Sequence, residues 1–159
     1  MADDIQGNIG TTLKFVLGTP VTWDEAGVDA LEATATEVGF IETIGDFGGT
    51  ATVETFTALV DGIVPKAIGT KDYGTASITL GRVEADVGQA ALKSGFDGAN
   101  AGQRHTAIVT YKAGLREAFG CLVSSDTRSI GSAGPFIRAG VDLAIDTKVY
   151  GLTAFTPAP

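Results

Sequence analysis

His105, Cys121 and the run Ser124-Ser125-Asp126 are the residues whose types could do chemistry. A triad would need a nucleophile, a base and an orienting acid to converge. His105 lies in the alternating segment Arg104-His105-Thr106-Ala107-Ile108-Val109 and reads as a structural strand residue. No G-x-S-x-G elbow surrounds any serine, so 124–126 read as a turn rich in local side-chain bonds. Cys121 falls on the inward face of a predicted strand and reads as a small buried hydrophobe. A single cysteine excludes an intrachain disulfide and a Cys-rich zinc site, and a single histidine leaves transition metals poorly served. Asp3-Asp4 and Asp24-Glu25 are acidic pairs without EF-hand spacing. Gly45-Asp46-Phe47-Gly48-Gly49 lies between β segments, with no helix to receive a phosphate, and there is no Walker loop or G-x-G-x-x-G unit. The prediction is no catalytic, cofactor-binding or metal residue, no cofactor, and no enzyme. Trp23 and Phe40 read as core or interface anchors.

The elements that would position such residues are mostly strands. The chain has 159 residues, 44% hydrophobic and 19% charged, which suits one domain with a real core. Its 22 glycines are about twice ordinary usage and point to many tight turns. Period-two alternation places Leu13, Phe15 and Leu17 on one face of 12–17, and Ala76, Ile78 and Leu80 on one face of 75–80. It places Phe119, Cys121 and Val123 on one face of 117–123, and Val141, Leu143, Ile145, Thr147 and Val149 on one face of 141–150. Segments 36–44, 50–58 and 105–111 are β-rich but less regular. Two short helices are expected. Residues 86–94 have Asp86 as cap, Gln89 at capping-box spacing and Gly95 as the stop. Residues 23–33 have Thr22 and Glu25 at the same spacing. Residues 60–73 and 124–137 read as long loops, and 156–159 as a frayed tail. The predicted fold is mostly β, an antiparallel β-sandwich or barrel with one or two short flanking helices, in a single domain over 1–159.

The formal net charge of −8 argues against sequence-reading nucleic-acid binding. Residues 1–61 hold eleven acidic residues and one basic, Lys14, a net of −10. Residues 62–159 hold eight acidic and ten basic, a net of +2. Either the acid is a solvated face, or opposite patches meet between copies, or acid lines a surface where anions must not stick. The start lacks an apolar stretch typical of a secretory signal, and no run approaches the ~18 apolar residues of a membrane span. The expectation is a chain that folds in a cytoplasm.

Three motifs occur in order: Ile44-Gly45-Asp46-Phe47-Gly48-Gly49, then Gly69-Thr70-Lys71-Asp72-Tyr73-Gly74, then Asp86-Val87-Gly88-Gln89-Ala90-Ala91-Leu92-Lys93. This succession resembles the major tail tube proteins of long, non-contractile phage tails and of phage-like gene transfer agents, over roughly residues 36–98. The resemblance implies six copies per ring, stacked rings, and a hollow tube around a tape-measure protein. It implies tail terminator and baseplate or initiator proteins as partners, and DNA that passes through without specific binding. Such a tube has no active site and needs no membrane. It would be made and assembled in the host cytoplasm as part of a virion or phage-like particle tail.

On this reading Val64, Pro65, Lys66, Ile68, Lys71, Asp72 and Tyr73 form an inter-ring contact arm. Glu37, Glu42, Glu54 and Asp61 are candidates for an acidic lumen. The nearest rival is the inner-tube protein of a contractile injection or type VI secretion machine. An exported pilus-like β-sandwich and a small hydrolase are more distant rivals.

Overall fold

The computed structural model describes residues 9–131 and 136–155. In chain order the elements are β1 (Thr12–Val16), α1 (Glu25–Glu32), β2 (Thr36–Glu37), β3 (Ile41–Ile44), β4 (Thr50–Thr55), β5 (Lys66–Asp72), β6 (Thr75–Gly81), α2 (Val87–Asp97), β7 (His105–Thr110), β8 (Arg116–Ser129), β9 (Arg138–Ile145) and β10 (Tyr150–Leu152). An antiparallel sheet runs β2-β1-β7-β8-β9-β6-β3, with β10 also on β8, and β4 and β5 pair separately. The mostly β, sandwich-like class expected from alternation is what forms.

The two ends of that sheet are close in sequence. Only Val38, Gly39 and Phe40 separate β2 from β3, a span of at most ~14 Å. The sheet must therefore curl until its first and last strands approach. Helix α2 occupies the closure. Its Gln89 amide donates to Gly39 O (3.1 Å) and Gly81 O (2.9 Å), and its Oε1 accepts from Val83 N (3.0 Å). One buried side chain thus joins the β2–β3 corner to the end of β6. Asp86 caps the helix as the sequence predicts, accepting from Gln89 N at 2.9 Å.

Gly88 lets the helix approach. A Cβ there would lie 2.3 Å from Glu37 O and 2.6 Å from Val38 Cα, both backbone atoms. In an ordinary helix, Gly→Ala gains about 0.5–1 kcal/mol. Here Gly88→Ala should instead lose about 1–3 kcal/mol to overpacking. Thermal unfolding would check the sign, and a stabilised variant would contradict this close packing.

The curled sheet buries most of its apolar residues in one cluster. Leu13, Phe15, Ile78, Leu80, Val109, Phe119, Cys121, Val141 and Leu143 belong to it, with Leu92 of α2. A smaller cluster of Val16, Val28, Ile108 and Ala118 lies under α1. Both sheet faces are therefore covered near β1, β7 and β8. This corrects the expected face of 12–17: the strand stops at Val16, which is buried beneath α1, while Leu17 is exposed.

Other expectations need revision. Helix α1 is capped by Asp24, not Thr22, through Gly27 N at 2.7 Å. Gly95 does not stop α2, which continues to Asp97; a Cβ at Gly95 would lie 3.0 Å from Val123 and 3.3 Å from His105. That glycine permits helix-on-sheet contact. Residues 60–73 are not a loop throughout, since Lys66–Asp72 is a strand. Nor are 124–137, because β8 continues to Ser129 opposite β9. These extensions have little buried face, so no apolar alternation marks them. The run 141–150 ends as a strand at Ile145; Thr147 then turns back and accepts from Gly120 N at 2.8 Å. Residues 132–135 and 156–159 lie outside the described residues.

Helix α1 is held by buried charge as well as by apolar contact. Val28 is its one fully buried apolar side chain. Arg116 of β8 is fully buried beneath it, paired with Glu32 and with Asp29 at 2.8 Å. Its Nε donates to Thr153 O at 2.6 Å, and Lys14 reaches Glu32 at 2.9 Å.

Candidate assembly surface

The residues that could do chemistry are each engaged in holding the fold. Gly18 N donates to His105 Nδ1 at 3.3 Å, and His105 Nε2 faces Asn100 O at 3.2 Å. These contacts require the neutral imidazole with its proton on Nε2. Ser124 donates to Asp142 O (3.1 Å) and Ser125 to the Asp142 carboxylate (2.8 Å). Asp142, not His105, is therefore the partner of both serines, and they are part of β8 rather than a turn. Cys121 is fully buried, and burial pushes its thiol up to about 12.

The histidine contacts have a pH consequence. Burial pushes His105 below its ordinary value of 6.5. The folded state thus binds a proton less readily than the unfolded chain. Its stabilising contribution is present above about pH 6.5 and is lost as pH falls below it. The unfolding midpoint should drop between pH 7 and pH 5, and His105→Gln should flatten part of that drop. Identical acid limbs in the two proteins would assign the loss to other groups.

The β4–β5 hairpin is exposed along nearly its whole length. Its strands pair Thr50↔Asp72, Ala51↔Lys71, Val53↔Ile68, Glu54↔Ala67 and Thr55↔Lys66, with a bulge between Ala51 and Val53. Pairing extends outward through Phe56 N to Pro65 O (3.3 Å) and Ala58 N to Ile63 O (3.3 Å). Asp61 turns the tip by accepting from Ile63 N at 3.0 Å, and Gly62 takes a φ of 70° that favours glycine. Between Thr50 and Asp72 only Ala58 and Gly69 are less than exposed. The tip carries Phe56, Leu59, Val60, Ile63 and Val64, with Leu59 and Val60 essentially fully exposed at 101% and 98%. Val53 and Ile68 form an exposed apolar pair below them. An isolated two-stranded hairpin with an apolar tip is marginal in water and wants a partner.

Its base is fixed to the core. Phe47 packs on Phe119, ring centroids 5.4 Å apart, and Phe47 and Tyr73 both pack against the large cluster. A Cβ at Gly49 would lie 2.7 Å from the Tyr73 ring. Asp72 accepts from Gly74 N at 2.9 Å, closing the corner into β6.

Of the predicted arm, Val64 and Pro65 lie near the tip, and Lys66, Ile68, Lys71 and Asp72 on β5. Tyr73 differs, because it is a half-buried anchor at the base. Phe56, Leu59 and Val60 were not singled out by sequence reasoning. Asp61-Gly62 between Val60 and Ile63 is the signal that could have found them, since Asp-Gly flanked by hydrophobics marks a hairpin. The four candidate lumen acids are spread over several elements. Glu37 is on β2 opposite Lys14. Glu42 on β3 is paired with Arg138 at 2.7 Å, whose guanidinium holds its carboxyl below the usual range. Glu54 is on β4 and Asp61 at the tip.

No protein-family model and no curated protein matches this sequence. Solved structures match its fold. A chain of the sixfold-symmetrised anti-feeding prophage (AFP) baseplate superposes with a TM-score of 0.66 at 9% identity, covering 90% of this chain and 92% of that one. A chain of the SPP1 tail tube gives 0.65 at 13%, covering 97% and 81%. A chain of the PVC sheath/tube terminator, from an extracellular contractile injection system, gives 0.63 at 12%, covering 92% and 96%. The chain has a tail-tube-like fold.

Proposed function

We propose that the chain is a structural, non-enzymatic subunit of a phage-like tail tube, of a non-contractile phage or a gene transfer agent. Copies assemble into hexameric rings, and the rings stack around a tape-measure protein into a conduit for DNA. The hairpin carries this reading: an exposed arm with an apolar tip is paired apart from the main sheet, and a second copy is the partner such an arm suits. The fold likeness to the SPP1 tail tube supports it, and the sixfold-symmetrised AFP baseplate supports six copies. Val64, Pro65, Lys66, Ile68, Lys71 and Asp72 belong to the inter-ring arm, with Tyr73 setting its angle. Glu37, Glu54 and Asp61 supply an acidic lumen that repels phosphates and lets a duplex slide. Glu42, neutralised by Arg138, adds least. Terminator and baseplate or initiator proteins meet the two tube ends. The product is a particle tail assembled in the host cytoplasm. Among the described residues no helix is long and apolar enough to cross a membrane.

A second reading, an inner-tube subunit of a contractile injection or type VI secretion-like machine, is favoured by two of the three structural likenesses. The arm and the stacking are the same; the cargo differs.

Negative-stain electron microscopy of the purified protein over a wide concentration range tests the proposal. Rings or hollow tubes are expected. A monomer at every concentration, with its hairpin rigid and folded back on its own domain, would end the tube reading. A ring whose channel is neutral or basic would end the acidic-lumen assignment.

A further inference from the structure

We propose that the sheet end opposite the hairpin is the seat for the hairpin tip of the next copy, an inference that rests on the tube reading above. Strand β6 defines the two ends. The hairpin joins it at Thr75, through Tyr73 and Gly74. At its other end, Gly81 N donates to Phe40 O (2.9 Å) and Arg82 N donates to Ile137 O (2.9 Å). Arg138 there pairs with both Gly81 and Ser129. This brings Phe40, Ile130, Phe136 and Ile137 to one rim, and all four are exposed, by 67%, 71%, 74% and 46%. Phe40 has a φ of 60°, rare for a bulky side chain. An aromatic kept outside the core at that conformational cost suits a contact face.

Size and charge select the occupant. The five tip side chains and the four rim side chains each offer roughly 500–700 Å² of exposed surface, close to the ~800 Å² per partner of a stable interface. Each rim arginine is already paired within the chain: Arg138 with Glu42 (2.7 Å), Arg82 with Glu84 (3.4 Å) and Arg128 with Asp126 (3.5 Å). Over residues 56–65 the tip carries one charge, Asp61, and its carboxylate is turned to Ile63 N. Two apolar surfaces of similar size and little net charge therefore lie at opposite ends of one strand. A patch that fits a different patch on an identical chain makes a heterologous contact, which repeats without closing when it runs along one axis. The seat and the tip together give axial growth.

A double variant, Leu59→Cys with Ile137→Cys, tests the seat using a short flexible bis-maleimide. Native Cys121 is buried and does not compete. The double variant should give a covalent ladder well beyond six copies, while each single variant stays at one or two. Tubes that form without a ladder would overturn the seat and leave the tube reading standing. A ladder that stops at six would move the contact sideways into the ring and also overturn the seat. Wild-type chain that remains monomeric at all concentrations, with its hairpin rigid and folded back on its own domain, would overturn both. Ile137→Asp, which leaves the hairpin intact, should raise the concentration needed for tubes at least tenfold without moving the unfolding midpoint. Unchanged assembly in that variant would count against the seat.

Discussion

Arg116→Met is expected to lower the stability of the folded chain by about 3–5 kcal/mol, because removing one partner strands the others as buried charges. In a chain of this size that is a fall in Tm of roughly 10 °C or more. Glu25, Asp29 and Glu32 are spaced i, i+4 and i+7, so all three lie on one face of α1. The fully buried Arg116 meets Asp29 and Glu32 directly and Glu25 at 3.7 Å. Lys14 shares Glu32, and the Phe155 ring covers both cations, 5.4 Å from Lys14 Nζ and 5.6 Å from Arg116 Cζ. Without Arg116, Lys14 alone would face the acidic stripe. Burying such groups as a pair is not strongly stabilising in itself; losing one half is what costs. The double variant Arg116→Met with Glu32→Leu should therefore recover part of the loss. Chemical unfolding followed by circular dichroism would measure both. A wild-type midpoint in Arg116→Met would show that α1 does not depend on this cluster.

That cluster also marks where sequence reading stops. Strands with one wet and one dry face declare themselves: Ala76, Ile78 and Leu80 alternate as read, and all three are buried. The Asp86 cap declares itself too, because it is a local contact three residues long. Arg116 gives no such signal, since its partners Glu32 and Thr153 are 84 and 37 positions away. The strand β5 was hidden for a different reason. Nearly every residue of it is exposed, so alternation has no dry face to report. Gly95 was misread because a glycine that ends a helix and one that admits a neighbouring sheet look alike in one dimension. Phe40 reads from the sequence as a core or interface anchor, but its place on a rim with Ile130, Phe136 and Ile137 was hidden for the same reason as the ion cluster: only the pairing of β3, β6, β8 and β9 brings those residues to one end.

Leu59→Ala with Val60→Ala is expected to abolish tubes while leaving the monomer's Tm unchanged. Both side chains are essentially fully exposed in the single chain, so their loss removes no packing within it. Buried by a neighbour, the two truncations together would forfeit about 3 kcal/mol per copy. Rings multiply that term. In the proposed hexameric ring, with six equivalent contacts at each junction, the deficit would reach on the order of 15–20 kcal/mol, beyond the range in which non-covalent stacking can compensate. If the tip serves stacking alone, as proposed, isolated rings should survive where tubes do not. Sedimentation velocity beside electron microscopy would separate the two species. Tubes of normal length from the double variant would remove the hairpin from the assembly surface. A lowered Tm would mean that the tip already packs on its own domain. Loss of tubes with rings retained is the result that a stacking arm, built on Phe47 and Tyr73 and ending in bare apolar side chains, requires.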